Sequence, residues 1–162
     1  MDAVISECGK YRYRLSREVQ AEGKTFAFFG INPSTADASI DDPTVKKWKG
    51  FSLRNGAARF LVGNVFSYRS TDVRALATVA AEGDEHWPHI FKIIEDADVL
   101  IPCWGSREKV PPRLRPYIDD LLNEIVSSGK PVFHFGKTAS GDPKHPLMLG
   151  YSTPLLPWVF TR

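Results

Sequence analysis

Lys24–Gly30, K-T-F-A-F-F-G, followed by Ile31-Asn32-Pro33-Ser34-Thr35, is the stretch on which the fold turns. A short apolar run ending at glycine reads as a buried strand. Pro33 cannot continue a central strand, and Asn and Ser favour turns, so the chain leaves the sheet at Asn32. Asp42-Pro43 then supplies an N-cap and a first-turn proline for a helix from about Thr44 to Asn55, closing near Gly56. The same layout recurs downstream. Arg59–Phe66, Asp98–Cys103 and Lys130–Phe135 read as strands two, three and four. Between them lie a short helix over Asp72–Val79 and a clearer one over Glu85–Ala97, with Ile90, Phe91, Ile93, Ile94 and Ala97 on one stripe. Arg115–Ser128 has the strongest helical periodicity, carried by Tyr117, Ile118, Leu121, Leu122, Ile125 and Val126. Strands alternating with helices predict an α/β fold of three layers, α/β/α, around a mainly four-stranded parallel sheet. Lys10–Leu15 alternates basic and apolar residues within the first twenty residues, which predicts an N-terminal edge strand or hairpin. Residues 136–157 form a closing loop rich in Gly, Pro and Lys.

The length of 162 residues fits a single domain over 1–162. With 43% hydrophobic and 25% charged residues, the composition excludes a disordered tail protein. No stretch approaches the ~20 apolar residues of a membrane span, and the N-terminus has no signal-peptide pattern. Cys8 and Cys103 cannot build a disulfide framework or a four-thiolate metal site, so a reduced, cytoplasmic setting is expected. The net charge of +2 excludes a general polycation. Its distribution is uneven: residues 41–74 carry seven basic and three acidic residues, whereas 75–102 carry one basic and six acidic. That polarity is the footprint of a polyanion binder and equally of ordinary solvated surface.

In open α/β sheets ligands bind beyond the carboxyl ends of the strands. The loops there read Asn32-Pro33-Ser34-Thr35, Ser67-Tyr68-Arg69, Trp104-Gly105-Ser106-Arg107 and Gly136 to Leu155, which includes His145. Together they offer polar groups for a heterocycle beside a phosphate. No dinucleotide or P-loop glycine pattern is present. His86-Trp87-Pro88-His89 has no further Cys or His nearby, so neither a metal nor another cofactor is expected.

These loops resemble the uracil-DNA glycosylase superfamily in its mismatch-specific branch. Gly30-Ile31-Asn32-Pro33 is similar to its first motif, and Leu61-Val62-Gly63-Asn64-Val65 to its second-strand segment. Val99-Leu100-Ile101-Pro102-Cys103-Trp104-Gly105-Ser106 is similar to its L-L-W-G-S segment, and His145-Pro146 to the start of its closing loop. The opening G-I-N-P-S-T with D-D-P-T behind it also resembles an uncharacterised bacterial and phage family usually placed near these glycosylases.

The resemblance implies hydrolysis of an N-glycosidic bond of uracil or a modified base in DNA, by a protein without membrane attachment and acting as a monomer. Asn32 would orient a water and His145 would donate to the departing base. Asn64 would read the imide edge, with Ile31, Pro33, Ser34, Gly105 and Ser106 lining the pocket and Phe51 stacking on the base. Leu147 or Met148 would fill the vacated stack, and Lys144 and Arg107 would meet phosphates. Departures from the pattern are Ser34 in place of glycine and Leu147-Met148-Leu149-Gly150 after His-Pro. A carboxamide at Asn32 is no general base; Asp41 or Asp42 supplies the missing carboxylate, or Asp42 merely caps its helix. Two other readings stay open: a non-catalytic binder of nucleic acid or a modified base, and an enzyme of small nucleotides.

Overall fold

The computed structural model describes residues 2–159. A five-stranded sheet runs in the order β1 (Asp2–Ile5), β2 (Arg12–Glu18), β4 (Ala57–Asn64), β3 (Lys24–Gly30), β5 (Val99–Pro102). β4, β3 and β5 are parallel, while β1 and β2 form an antiparallel hairpin joined antiparallel to β4. The α/β reading holds, with two corrections to the sheet. The Lys10–Leu15 segment belongs to an interior strand: β2 is paired on both sides, and β1 takes the edge. The fourth parallel strand is reduced to one bridge between Leu100 and Val132. Pro131 has no N–H to give a ladder, and the chain turns away so that β6 (Phe133–His134) pairs with β7 (Leu156–Pro157) instead.

Alternate residues of β3 feed two cores, as the twofold period of a strand requires. Phe26 and Phe28 pack with Val45, Trp48 and Phe51 of α1 (Pro43–Arg54). Ala27 and Phe29 pack with Ile90 and Ile93 of α2 (His86–Asp96) and with Ile118, Leu121 and Ile125 of α3 (Pro116–Ser127). Helices therefore cover both faces. Phe28 and Phe60 are fully buried, each contributing about 2–3 kcal/mol of burial free energy.

Asp42 caps α1, its carboxylate accepting the Val45 N–H at 2.9 Å, with Pro43 in the first turn. The helix ends where Gly56 takes φ +79°. Lys130 Nζ donates to the carbonyls of Ile94, Glu95 and Ala97, placing a cation on the negative end of α2. The helix expected over Asp72–Val79 is a 3₁₀ turn, Val73–Thr78. No helix among the described residues is long and apolar enough to cross a membrane.

Candidate functional site

The parallel strands β3 and β4 end level with each other, Gly30 paired with Asn64. The chain leaving β3 turns at Ile31–Ser34, and α1 begins close by. Between them lies a hollow of about 50 Å³ lined by Arg12, Gly30–Ser34, Asp42, Thr44, Trp48, Asn64 and His145. Residues from β2, β3, β4, α1 and the closing loop thus meet at the carboxyl rim of the sheet. The two carboxamides and the imidazole singled out from the sequence share this one hollow.

Asn32 is fixed in orientation. Its Nδ2 donates to the Ser70 carbonyl at 2.8 Å and the Pro33 carbonyl at 3.1 Å. Carbonyls only accept, so the amide nitrogen must face them and the oxygen is left as an acceptor. Asn64 differs: it is 5% exposed, yet its carboxamide makes no hydrogen bond among the described residues. Asn64 lines the hollow, and its unbonded donor and acceptor are not sealed from solvent, so both stay open to a ligand there. Gly30 makes room for it. A Cβ at Gly30 would stand 2.8 Å from Asn64 Oδ1.

His145 Nδ1 accepts the Leu147 N–H at 3.2 Å, which puts the ring proton on Nε2. Burial, aided by the nearby charge of Lys109, pushes its pKa down to about 4. The imidazole is therefore neutral at pH 7, with an Nε2–H to donate. Gly105, at φ +82°, lies behind this residue; a Cβ there would be 3.5 Å from that of His145.

Adjacent carboxylates have different tasks. Asp41 is held by Arg17 Nε and Lys49 Nζ, each at 2.8 Å, and does not line the hollow. Hydrogen bonds and charge from Lys49 and Arg17 outweigh its burial and lower its pKa. Asp42 does line the hollow while capping α1 through Oδ1. Of the two acids, Asp42 alone lines the hollow, and it is also the cap of α1.

Other expected site residues lie elsewhere. Phe51 is fully buried against Phe135 and Tyr151, with ring centroids 4.6 and 5.1 Å away, so it belongs to the α1 core and not to the hollow. The aromatic residue that reaches the hollow is Trp48, stacked on Phe28 at 5.6 Å. Ser106 is engaged with Ser140 Oγ and caps the Glu108 N–H. Arg107 is paired with Asp142 and Asp119, each at 3.0 Å, and fastens the closing loop to the turn after β5. Its donors are committed inside the protein. Lys144 is exposed. Leu147 and Met148 sit on a 3₁₀ turn, Pro146–Met148, with Met148 90% exposed. Lys47 Nζ donates to the Leu149 carbonyl at 2.6 Å, tying this turn to α1.

Sequence reasoning missed Arg12, Thr44 and Trp48. The last two follow from the expected helix, since residues at i and i+4 share a face and the cap sits at the rim. Arg12 is 3% exposed; its Nη1 donates to the Ala36 carbonyl at 3.1 Å, and its buried Nε has no partner among the described residues. Burial pushes the guanidinium down to about 10, which leaves it charged at neutral pH. Among the described residues no cluster of three or more His, Cys, Asp or Glu is placed to hold a metal. His86 is buried with Nδ1 2.5 Å from Ser67 Oγ, and His89 stacks on Tyr13.

Comparison with curated proteins and with solved structures finds no match. A family model does match, over residues 12–147, from the first residue of β2 to the turn that follows His145. The chain belongs to the family described as Protein of unknown function (DUF1643).

Proposed function

We propose that this protein is a hydrolase of uracil-DNA-glycosylase-like fold that cleaves the N-glycosidic bond of uracil or a deaminated base in DNA. The observation that carries the reading is the buried, unpartnered carboxamide of Asn64, facing the same hollow as Asn32 and a neutral His145. One donor and one acceptor, side by side, match the O=C–N–H edge of an imide base. The hollow is small and takes that polar edge of one ring, with Trp48 as its aromatic wall.

N-glycosidic cleavage develops positive charge on the sugar and negative charge on the departing base. The Nε2–H of His145 meets the base carbonyl oxygen as it becomes anionic, the kind of fixed donor that lowers such barriers. A neutral imidazole holds its proton through this step and needs no rearrangement. Asn32 Oδ1 orients the attacking water, and the Asp42 carboxylate takes the proton the water loses as its oxygen bonds to the sugar carbon. Met148 and Leu147 enter the stack emptied by the flipped base, and Lys144 meets a phosphate.

The test is strand scission after alkali, on oligonucleotides carrying uracil, hypoxanthine or modified pyrimidines. The expected result is an abasic product from at least one of them, reduced at least about a hundredfold by Asn32→Ala or Asn64→Ala. Folded protein that yields no abasic product on any of these substrates overturns the reading.

A further inference from the structure

We infer that Arg12 makes an anion subsite in the hollow, and that this subsite takes the phosphate of a nucleotide. The inference starts from the backbone. In the β1–β2 hairpin, Val4 faces Arg14 and Ile5 faces Arg12, so Tyr13 is the extra residue of a β-bulge. Regular alternation would put Arg12 on the face of Arg14, which pairs with Asp96 of α2 at 3.1 Å. The bulge reverses this. Tyr13 stacks on His89 of α2, on the side of Arg14, while Arg12 turns to the other side and lines the hollow.

The side chain delivered there is a buried cation short of acceptors. None of the ion pairs among the described residues involves Arg12. Only Nη1 has an acceptor, the Ala36 carbonyl; Nε is buried without one, and Nη2 makes no hydrogen bond among the described residues. The contrast with Arg17, five residues along the same strand, is sharp. Arg17 is fully buried too, but it holds Asp41 and the carbonyls of Asp2, Ser16, Asp37 and Ile40. A buried guanidinium is costly unless it is paired, and Arg17 obeys that rule inside the protein. Arg12 meets it when an oxyanion enters and accepts from Nη2, the guanidinium nitrogen that is neither bonded within the protein nor sealed from the hollow.

Asp42 is the one carboxylate in the lining; its charge favours the Arg12 cation from a distance, but the two make no direct ion pair. Its Oδ1 is committed to the Val45 N–H. The identity of the base beside the phosphate rests on the function proposed above; the anion subsite itself does not.

Titration calorimetry on the whole chain decides it, with inorganic phosphate, uridine, uridine monophosphate and a uridine dinucleotide as probes. The monophosphate is expected to bind at least about tenfold more tightly than uridine, with phosphate competing against it. Arg12→Gln should bring that ratio to about one, and Arg12→Lys should retain part of it. Equal affinity for uridine and its monophosphate in the wild type overturns the subsite, and that comparison needs no variant to fold. A preference that survives Arg12→Gln overturns it as well. Phosphate binding through Arg12 with no affinity for uridine leaves the subsite standing and removes the base reading. Uridine binding with no phosphate effect does the opposite. A dinucleotide that outbinds the monophosphate identifies the phosphate as that of a strand; the reverse order identifies a free nucleotide.

Discussion

Gly30 and Asn64 are paired across the parallel β3–β4 ladder, and the absence of a side chain on the first is what admits the carboxamide of the second. The hydrogen-bonding edge of the hollow depends on this pairing. Gly30→Ala places a methyl 2.8 Å from Asn64 Oδ1 and 3.5 Å from the Trp48 ring. The expected result is a loss of about 1–3 kcal/mol in urea unfolding, with binding of uracil abolished in calorimetry.

Asn64→Ala should behave in the opposite way. A buried carboxamide with internal partners costs stability when removed; this one has none among the described residues. The urea midpoint should move by less than about 1 kcal/mol equivalent, while base binding is lost. A large destabilisation would mean that the carboxamide serves the fold.

Asp41 and Asp42 provide a matched pair of tests. Asp41→Asn leaves the fully buried Arg17 without its carboxylate and should cost about 3 kcal/mol in denaturant unfolding. Asp42→Asn keeps an equally good helix cap, so the melting temperature should hardly move, while the hydrolysis rate falls. A fold disrupted by the second change and spared by the first reverses these assignments.

Histidine ionisation sets the acid limit of the protein. Burial pushes both His145 and His86 down to about 4, against an ordinary value of 6.5. The unfolded chain therefore takes up these protons at a higher pH than the folded one. Their contribution to stability is complete above pH 6.5 and is lost as pH falls from there toward 4. Ring proton resonances in NMR should titrate near 4 for both residues, and unfolding free energy should decline through that window. A His145 ring that titrates near 6.5 would contradict its proposed role as a neutral donor.

The proposed contacts to DNA divide by salt dependence. Met148 is nearly fully exposed, so Met148→Ala should leave stability within about 0.5 kcal/mol and weaken duplex binding without changing its salt slope. Lys144→Ala should lower that slope by about one. Arg107→Ala should leave the slope unchanged and lower the melting temperature, since its charge is spent on Asp119 and Asp142.

The hollow was legible in the sequence where a strand end dictates direction. Gly30-Ile31-Asn32-Pro33 and Asn64 lie where parallel strands stop, and α1 begins at the cap that Asp42-Pro43 announces. What escaped depended on pairing that no local pattern contains. K-Y-R-Y-R-L reads as a solvated edge because its alternation says nothing of β1, which covers it, or of the bulge at Tyr13. Arg12 was hidden by the same bulge that places it in the hollow. Phe51 and Trp48 are three residues apart on one helix, and composition cannot tell which of them reaches the rim and which fills the core. Lys130–Phe135 has the residues of a strand, yet its neighbour β7 arrives from more than twenty residues downstream and draws it off the sheet.

The hollow joins parts of the chain far apart in sequence, from Arg12 at the start of β2 to His145 in the closing loop. Once the chain extends to Pro102, it holds all five strands of the sheet, and the guanidinium and both carboxamides with them. The imidazole is still missing. A chain that stops between Pro102 and His145 therefore carries every strand of the sheet and leaves the hollow open where the proposed donor belongs.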